Sequence, residues 1–121
     1  MNFIIMYNKF FFKKKHRLFE DNQFRFVFKK SYKVFNKQFL ILSRENNVTY
    51  PRLGIRISSK FIKLSYKRNV IKRLIRESFR INIKKFFCMD FIVIVKNNIS
   101  EFKNVFLLES LKSLWIRYFS N

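Results

Sequence analysis

Glycine, proline, cysteine and histidine each occur once in the 121 residues, and each scarcity excludes something. One glycine, Gly54, excludes a glycine-rich loop that cradles phosphates. One cysteine, Cys88, excludes an internal disulfide, and no Cys or His stands at metal-ligand spacing from it. A buried free thiol in a reducing compartment is therefore expected. The lone histidine, His16, is far from Cys88, so no nucleophile has a base beside it, and a polar contact is the expected role of the ring. Acids are few and scattered: Glu20, Asp21, Glu45, Glu77, Asp90, Glu101 and Glu109. A metal-dependent nuclease needs converging carboxylates, and no such set is visible, so neither catalytic nor metal-ligating residues are assigned. A long apolar run is also missing. The opening MNFIIMYNKFFFKKK is broken by Asn8 and Lys9, and its charges follow the apolar residues. It reads as neither a secretion signal nor a membrane span, which predicts a cytoplasmic protein with no membrane partner.

What is abundant is positive charge. Lys and Arg total 27 against 7 acids, giving a net charge of +20 and a pI near 10.6. With 49% apolar residues the chain should fold, and its length suits one core. The 18 Phe and the many Lys, Asn and Ile all have A/T-rich codons, so the position of the charges says more than their number. Charge of this size concerns partners and not fold. Spread along the chain and interleaved with aromatics, it points first to nucleic acid.

The charges concentrate in KLSYKRNVIKRLIRESFRINIKK, Lys63 to Lys85, which reads as one amphipathic helix. At about 100° per residue, Val70, Ile71, Leu74, Ile75 and Ser78 form an apolar seam. Arg68, Asn69, Lys72, Arg73, Arg76 and Arg80 fall in a neighbouring sector about 140° wide. Glu77 is the only acid. Like charges at (i, i+4), such as Arg68/Lys72 and Lys72/Arg76, repel, which favours a polyanionic partner over a merely solvated face.

Around that helix the chain reads in order. Residues 1–16 form a basic, mobile arm, and 17–121 a single domain. Asp21 and Asn22 are candidate caps of a short helix running to Lys30, with Phe24 and Phe28 on one face. Ser31 to Phe35 suggests an edge strand, Gln38 to Ser43 a second strand, and Arg52 to Ser58 an alternating third with Gly54 in its middle. After the basic helix, Phe91 to Lys96 reads as a buried central strand. Ser100 is a candidate cap for a last helix, Glu101 to Phe119, with Val105, Leu108, Leu111, Leu114, Trp115 and Tyr118 at helical spacing. Helix, three strands, helix, strand, helix predicts an α+β sandwich with helices over a small mixed sheet.

The stretch RNVIKRLIRESFR, Arg68 to Arg80, resembles the signature of the bacterial ribonuclease P protein subunit, roughly RNRxKRxxRxxFR. Arg68, Asn69, Lys72, Arg73, Arg76, Phe79 and Arg80 match. Pro51 to Ile55, the pair Ser59 and Lys60, and Asp90 to Val95 resemble the family's flanking segments, and the likeness runs from about Arg17 to Tyr118. Val70 departs from the second arginine of the signature, Phe61 from a frequent lysine and Leu42 from a frequent tyrosine. The resemblance implies an αβββαβα fold like the second domain of ribosomal protein S5, with a left-handed strand-helix-strand crossover.

It also implies a non-catalytic subunit of an endoribonuclease, a hydrolase that removes the 5′ leader of precursor tRNA. Its partners would be the ribonuclease P catalytic RNA and the precursor tRNA, with no protein partner required. Mg²⁺ and the chemistry would reside mainly on the RNA. Lys60, Arg68, Asn69, Lys72, Arg73, Arg76 and Arg80 would bind the RNA subunit, and Arg17, Phe24, Phe28 and Arg56 would border the leader cleft. The competing reading is a small basic ribosomal protein or general RNA chaperone. A membrane-surface protein leaves the arginine-rich helix unexplained, and no DNA-reading motif is present.

Overall fold

The computed structural model describes residues 14–18 and 20–120. Its helices are α1 (Asp21–Lys29), α2 (Ser65–Ile81) and α3 (Asn104–Trp115), and its strands β1 (Tyr32–Phe35), β2 (Phe39–Glu45), β3 (Arg52–Arg56) and β4 (Met89–Val95). Short 3-10 turns occur at Lys14–His16, Ile83–Lys85 and Ile116–Tyr118. The strands form one mixed sheet in the order β1-β2-β4-β3. β2 pairs antiparallel with both β1 and β4, while β3 and β4 are parallel and joined through α2. The expected α+β element order is thus observed. Most of the N-terminal arm lies outside the described residues; Lys14–His16 form a turn in which His16 is buried, its Nδ1 2.9 Å from the Pro51 carbonyl oxygen.

The alternation along the strands divides the core in two. Phe39, Ile41, Leu53, Phe91, Val93 and Val95 pack against α2 and α3 in the larger cluster. Leu42 and Ile92 form the smaller one with Leu18, Phe24 and Val27. Helices therefore cover both faces, but the α1 face is covered by nine residues of helix only.

The seam of α2 differs from the wheel at its edge. Ile71, Leu74, Ile75 and Ser78 are buried as expected, but Val70 is 47% exposed, and Phe79 is fully buried in its stead. Phe79 enters an aromatic cluster with Phe86 and Trp115, ring centroids 5.1 and 5.7 Å away. The Trp115 indole N–H donates to Ser78 Oγ at 3.0 Å, so the serine in the seam satisfies a buried donor.

Other local expectations shift for identifiable reasons. Glu20, not Asp21 or Asn22, stands at the N-cap of α1, where the Glu20 N–H donates to Gln23 Oε1 at 3.0 Å in a capping box. Ser100 caps no helix: it closes a turn on Asn98 Oδ1, and α3 begins later, at Asn104. That start turns Val105 outward, 68% exposed, and places Leu107 in the core. Cys88 is exposed, because Phe86 and Met89 take the inward positions of the connector.

Candidate nucleic-acid interface

Gly54 sits mid-strand in β3, directly beneath α1, and the Phe24 ring occupies the space a side chain there would need. The Arg56 guanidinium lies over the same ring at 3.6 Å from its centroid. Arg17 reaches this place because its backbone bridges Leu53, and α2 brings Lys72 and Arg76 from the other side. Arg17, Phe24, Gly54, Arg56, Lys72 and Arg76 together line a cavity of about 220 Å³. Four cations from three segments thus converge on one space. Burial, and secondarily the like charge of Arg17, hold the Arg76 guanidinium below its ordinary pKa. An anion in the cavity would relieve both penalties.

The two groups expected to bind different RNAs therefore meet: Arg17, Phe24 and Arg56 share a cavity with Lys72 and Arg76. The other expected residues lie outside its lining. Phe24 is 5% exposed, so between Gly54 and Arg56 it is a packing ring and not a stacking platform. Phe28, tilted against Phe24 at 6.3 Å, is 46% exposed and presents the open ring of that pair. Asn69 and Arg73 are exposed on the outer face of α2. Arg68 donates to the carbonyl oxygens of Ile62 and Lys63, both at 2.8 Å, and ties the β3–α2 connection to the helix. Arg80 is held by Glu77 through two contacts, one of them 3.0 Å from Nε to Oε2, and its side chain is only 12% exposed. That pair holds the Glu77 carboxyl below its ordinary value. It also relieves part of the like-charge repulsion expected along the helix. Lys60 lines a different cavity, with Lys63 and Lys67.

Sequence reading missed two features. Arg52 and Asp90 face each other across the parallel β3–β4 register and form a two-point ion pair at 2.7 and 2.8 Å, with Asp90 also accepting from Asn46 Nδ2 at 2.9 Å. On the other flank of α1, the Arg44 guanidinium stacks on Phe26 at 3.6 Å and donates to the Phe26 carbonyl, which lies in the last turn of the helix. Neither partnership has a local signal, because the partners are 38 and 18 residues apart.

Among the described residues no three of His, Cys, Asp and Glu gather to hold a metal, and Asp90, the buried carboxylate, is already engaged by Arg52 and Asn46. The donor set does not fit a protein-held Mg²⁺. Among the described residues no helix is long and apolar enough to cross a membrane. Fold and site together define a small α+β module with a cationic helix and cleft and, among the described residues, no assembled catalytic group.

Comparison with known proteins narrows that class. Residues 12–118 match the family model described as Ribonuclease P. The ribonuclease P protein component of Baumannia cicadellinicola is 45% identical over 111 residues, covering 92% of this chain and 96% of that protein. The component from Buchnera aphidicola of Acyrthosiphon pisum is 44% identical over 91% of this chain and 96% of its own length. The solved RNase P protein of Staphylococcus aureus superposes with a TM-score of 0.81 at 30% identity, covering 88% of this chain and 98% of that one. That of Thermotoga maritima gives 0.75 at 32% identity, over 86% and 98%. The chain belongs to the ribonuclease P protein component family.

Proposed function

We propose that this chain binds the catalytic RNA of ribonuclease P and the 5′ leader of precursor tRNA, and so assists endonucleolytic removal of the leader. The observation that carries the reading is the shared cavity, where Arg17 and Arg56 meet Lys72 and Arg76. An RNA strand lying along that cavity, past α1 and the edge strand β3, comes within reach of cations of the signature helix, so one protein can hold two polyanions side by side. Arg68 and Arg73 act on phosphates as planar donors and Lys72 as a point charge. Phe28 offers a ring to any base, a sequence-tolerant contact suited to leaders of many sequences.

The chain supplies position and charge neutralisation, and the bond cleavage belongs to the RNA and its bound Mg²⁺. Neutralising phosphates with side chains lowers the repulsion between two RNAs and hence the Mg²⁺ that cleavage requires. The test is reconstitution with a bacterial ribonuclease P RNA at low Mg²⁺, following 5′ cleavage of a precursor tRNA. The expected result is rescue by this chain, no cleavage by the chain alone, and loss of rescue in Arg76→Ala. Equal rescue by an unrelated basic protein would overturn the reading in favour of a general RNA chaperone.

A further inference from the structure

A groove of different character runs past the N-terminal ends of α2 and α3. One cavity, of about 570 Å³, is lined by Lys60, Phe61, Lys63, Leu64, Lys67 and Ser100 among others. A second, of about 200 Å³, is lined by Lys67, Val70, Ile99, Ser100, Phe102 and Leu107 among others. They share Lys67 and Ser100 and so lie side by side along one flank of the molecule. Ile99 and Leu107 are buried beneath the groove, while three apolar side chains along it are open to solvent: Leu64 is 50%, Val70 47% and Phe102 45% exposed. The Phe102 ring leans on Phe106 at 5.0 Å, leaving an aromatic pair at the groove's end. Three lysines stand along it, and neither lining includes a carboxylate.

An occupant must match both properties, offering apolar faces and negative charge at intervals. Single-stranded RNA does so, since each base has a π-face and each linkage a phosphate. The groove also includes Lys60, one of the residues expected to bind the RNA subunit. The one competing anion nearby, Glu101, pairs with Lys67 at 3.2 Å and is 84% exposed, so it yields readily to a phosphate. Val70 fits this occupant: at the exposed edge of the apolar seam it gives a base a surface that a cation there would not.

We propose that this groove holds an unpaired stretch of the RNA partner, with a base on Phe102 beside Val70 and flanking phosphates on Lys63 and Lys67. The assignment rests on the RNA-binding reading above and extends that interface from α2 to α3.

The test uses Phe102→Trp in the full chain. The natural Trp115 is fully buried, so the new indole is the one that solvent and ligand reach. It is titrated with a single-stranded oligouridylate and, separately, with an amphipathic Glu/Leu peptide. Saturable quenching by the oligonucleotide is expected. Phe102→Ala, with its melting temperature unchanged, should weaken oligonucleotide binding about five- to a hundredfold at an unaltered salt slope. Lys63→Ala should instead reduce the slope of log K against log salt by roughly 0.7. Wild-type binding of RNA with no quenching and no loss in Phe102→Ala would overturn the groove alone. Quenching by the peptide and not by the oligonucleotide would overturn it in favour of an acidic protein segment. Failure of the wild-type chain itself to bind RNA is a separate result, and it would overturn the broader reading together with this one.

Discussion

Gly54 and Phe24 are in contact such that a Cβ on Gly54 would stand 2.6 Å from Cε1 and Cζ of the ring. The ring has little room to retreat. Arg56 lies over it at 3.6 Å, and Leu18 stands 3.3 Å from the same Cβ position. The backbone of Gly54 is ordinary extended strand, so its smallness and not its flexibility is what the position uses. Gly54→Ala should therefore lift α1 from the sheet, cost about 1–3 kcal/mol, and weaken leader binding. Thermal melts and leader titrations of Gly54→Ala, and of Gly54→Ala with Phe24→Leu, check this. Recovery of stability in the double variant is the expected sign of coupling.

The Arg52–Asp90 pair makes a second prediction. Asp90 is 1% exposed and accepts from both Arg52 and Asn46, which pins the start of β4 to β3 and to the β2–β3 loop. The hydrogen bond to Asp90 raises the Arg52 pKa, so the guanidinium stays charged throughout the range in which the protein folds. Asp90→Leu leaves that cation without its partner and should cost about 3 kcal/mol or more. Arg52→Leu with Asp90→Leu should recover part of the loss, and denaturant unfolding of the three variants measures it.

The contrast between these two pairs shows what the sequence could reveal. Periodicity exposed the elements: the alternation of Arg52 to Ser58, the β-branched run after Asp90 and the seam of α2 are all local. Gly54 stood out as a lone glycine inside a strand. The sequence could not show that Arg52 sits opposite Asp90, since that follows from a parallel register set by a helical crossover. The edge of the α2 seam was likewise decided elsewhere. Val70 and Phe79 flank the same stripe, and the aromatic cluster around Trp115 draws in the phenyl ring. In the cleft, Lys72 and Arg76 were legible as cations of one helix, but their meeting with Arg17 depends on the Arg17–Leu53 bridge.

Glu77 supplies a prediction with a definite sign. It is the only acid of α2, and its carboxylate holds the Arg80 guanidinium along the helix. Glu77→Gln removes the one negative charge of the helix and should therefore raise RNA affinity and steepen the salt dependence. The pair is also pH-dependent. The hydrogen bond to Arg80 depresses the folded-state pKa of Glu77 below its ordinary 4.5. Its contribution to stability is therefore fully present above that value and is lost as the pH falls through the folded pKa. Comparing acid unfolding of wild type and Glu77→Gln below pH 4.5 checks the sign: the wild type should lose more.

Phe24 and Phe28 share a helix face and separate cleanly by experiment. Phe24 is buried among Leu18, Val27, Leu42 and Ile92, so Phe24→Ala should cost about 3–5 kcal/mol and unfold much of the protein at ordinary temperature. Phe28 is 46% exposed and touches Phe24 only through a tilted contact at 6.3 Å. Phe28→Ala should leave the melting temperature nearly unchanged and weaken leader binding by about 1–3 kcal/mol, the worth of one stacked base. Phe28→Leu tells stacking from simple apolar contact: it keeps the bulk and loses the π-face, so it should bind leader nearly as poorly as the alanine variant. Titrating leaders that carry an abasic residue at successive positions then locates the base involved. At the position that stacks on Phe28, removing the base and removing the ring should have the same effect, and removing both should cost no more than either alone.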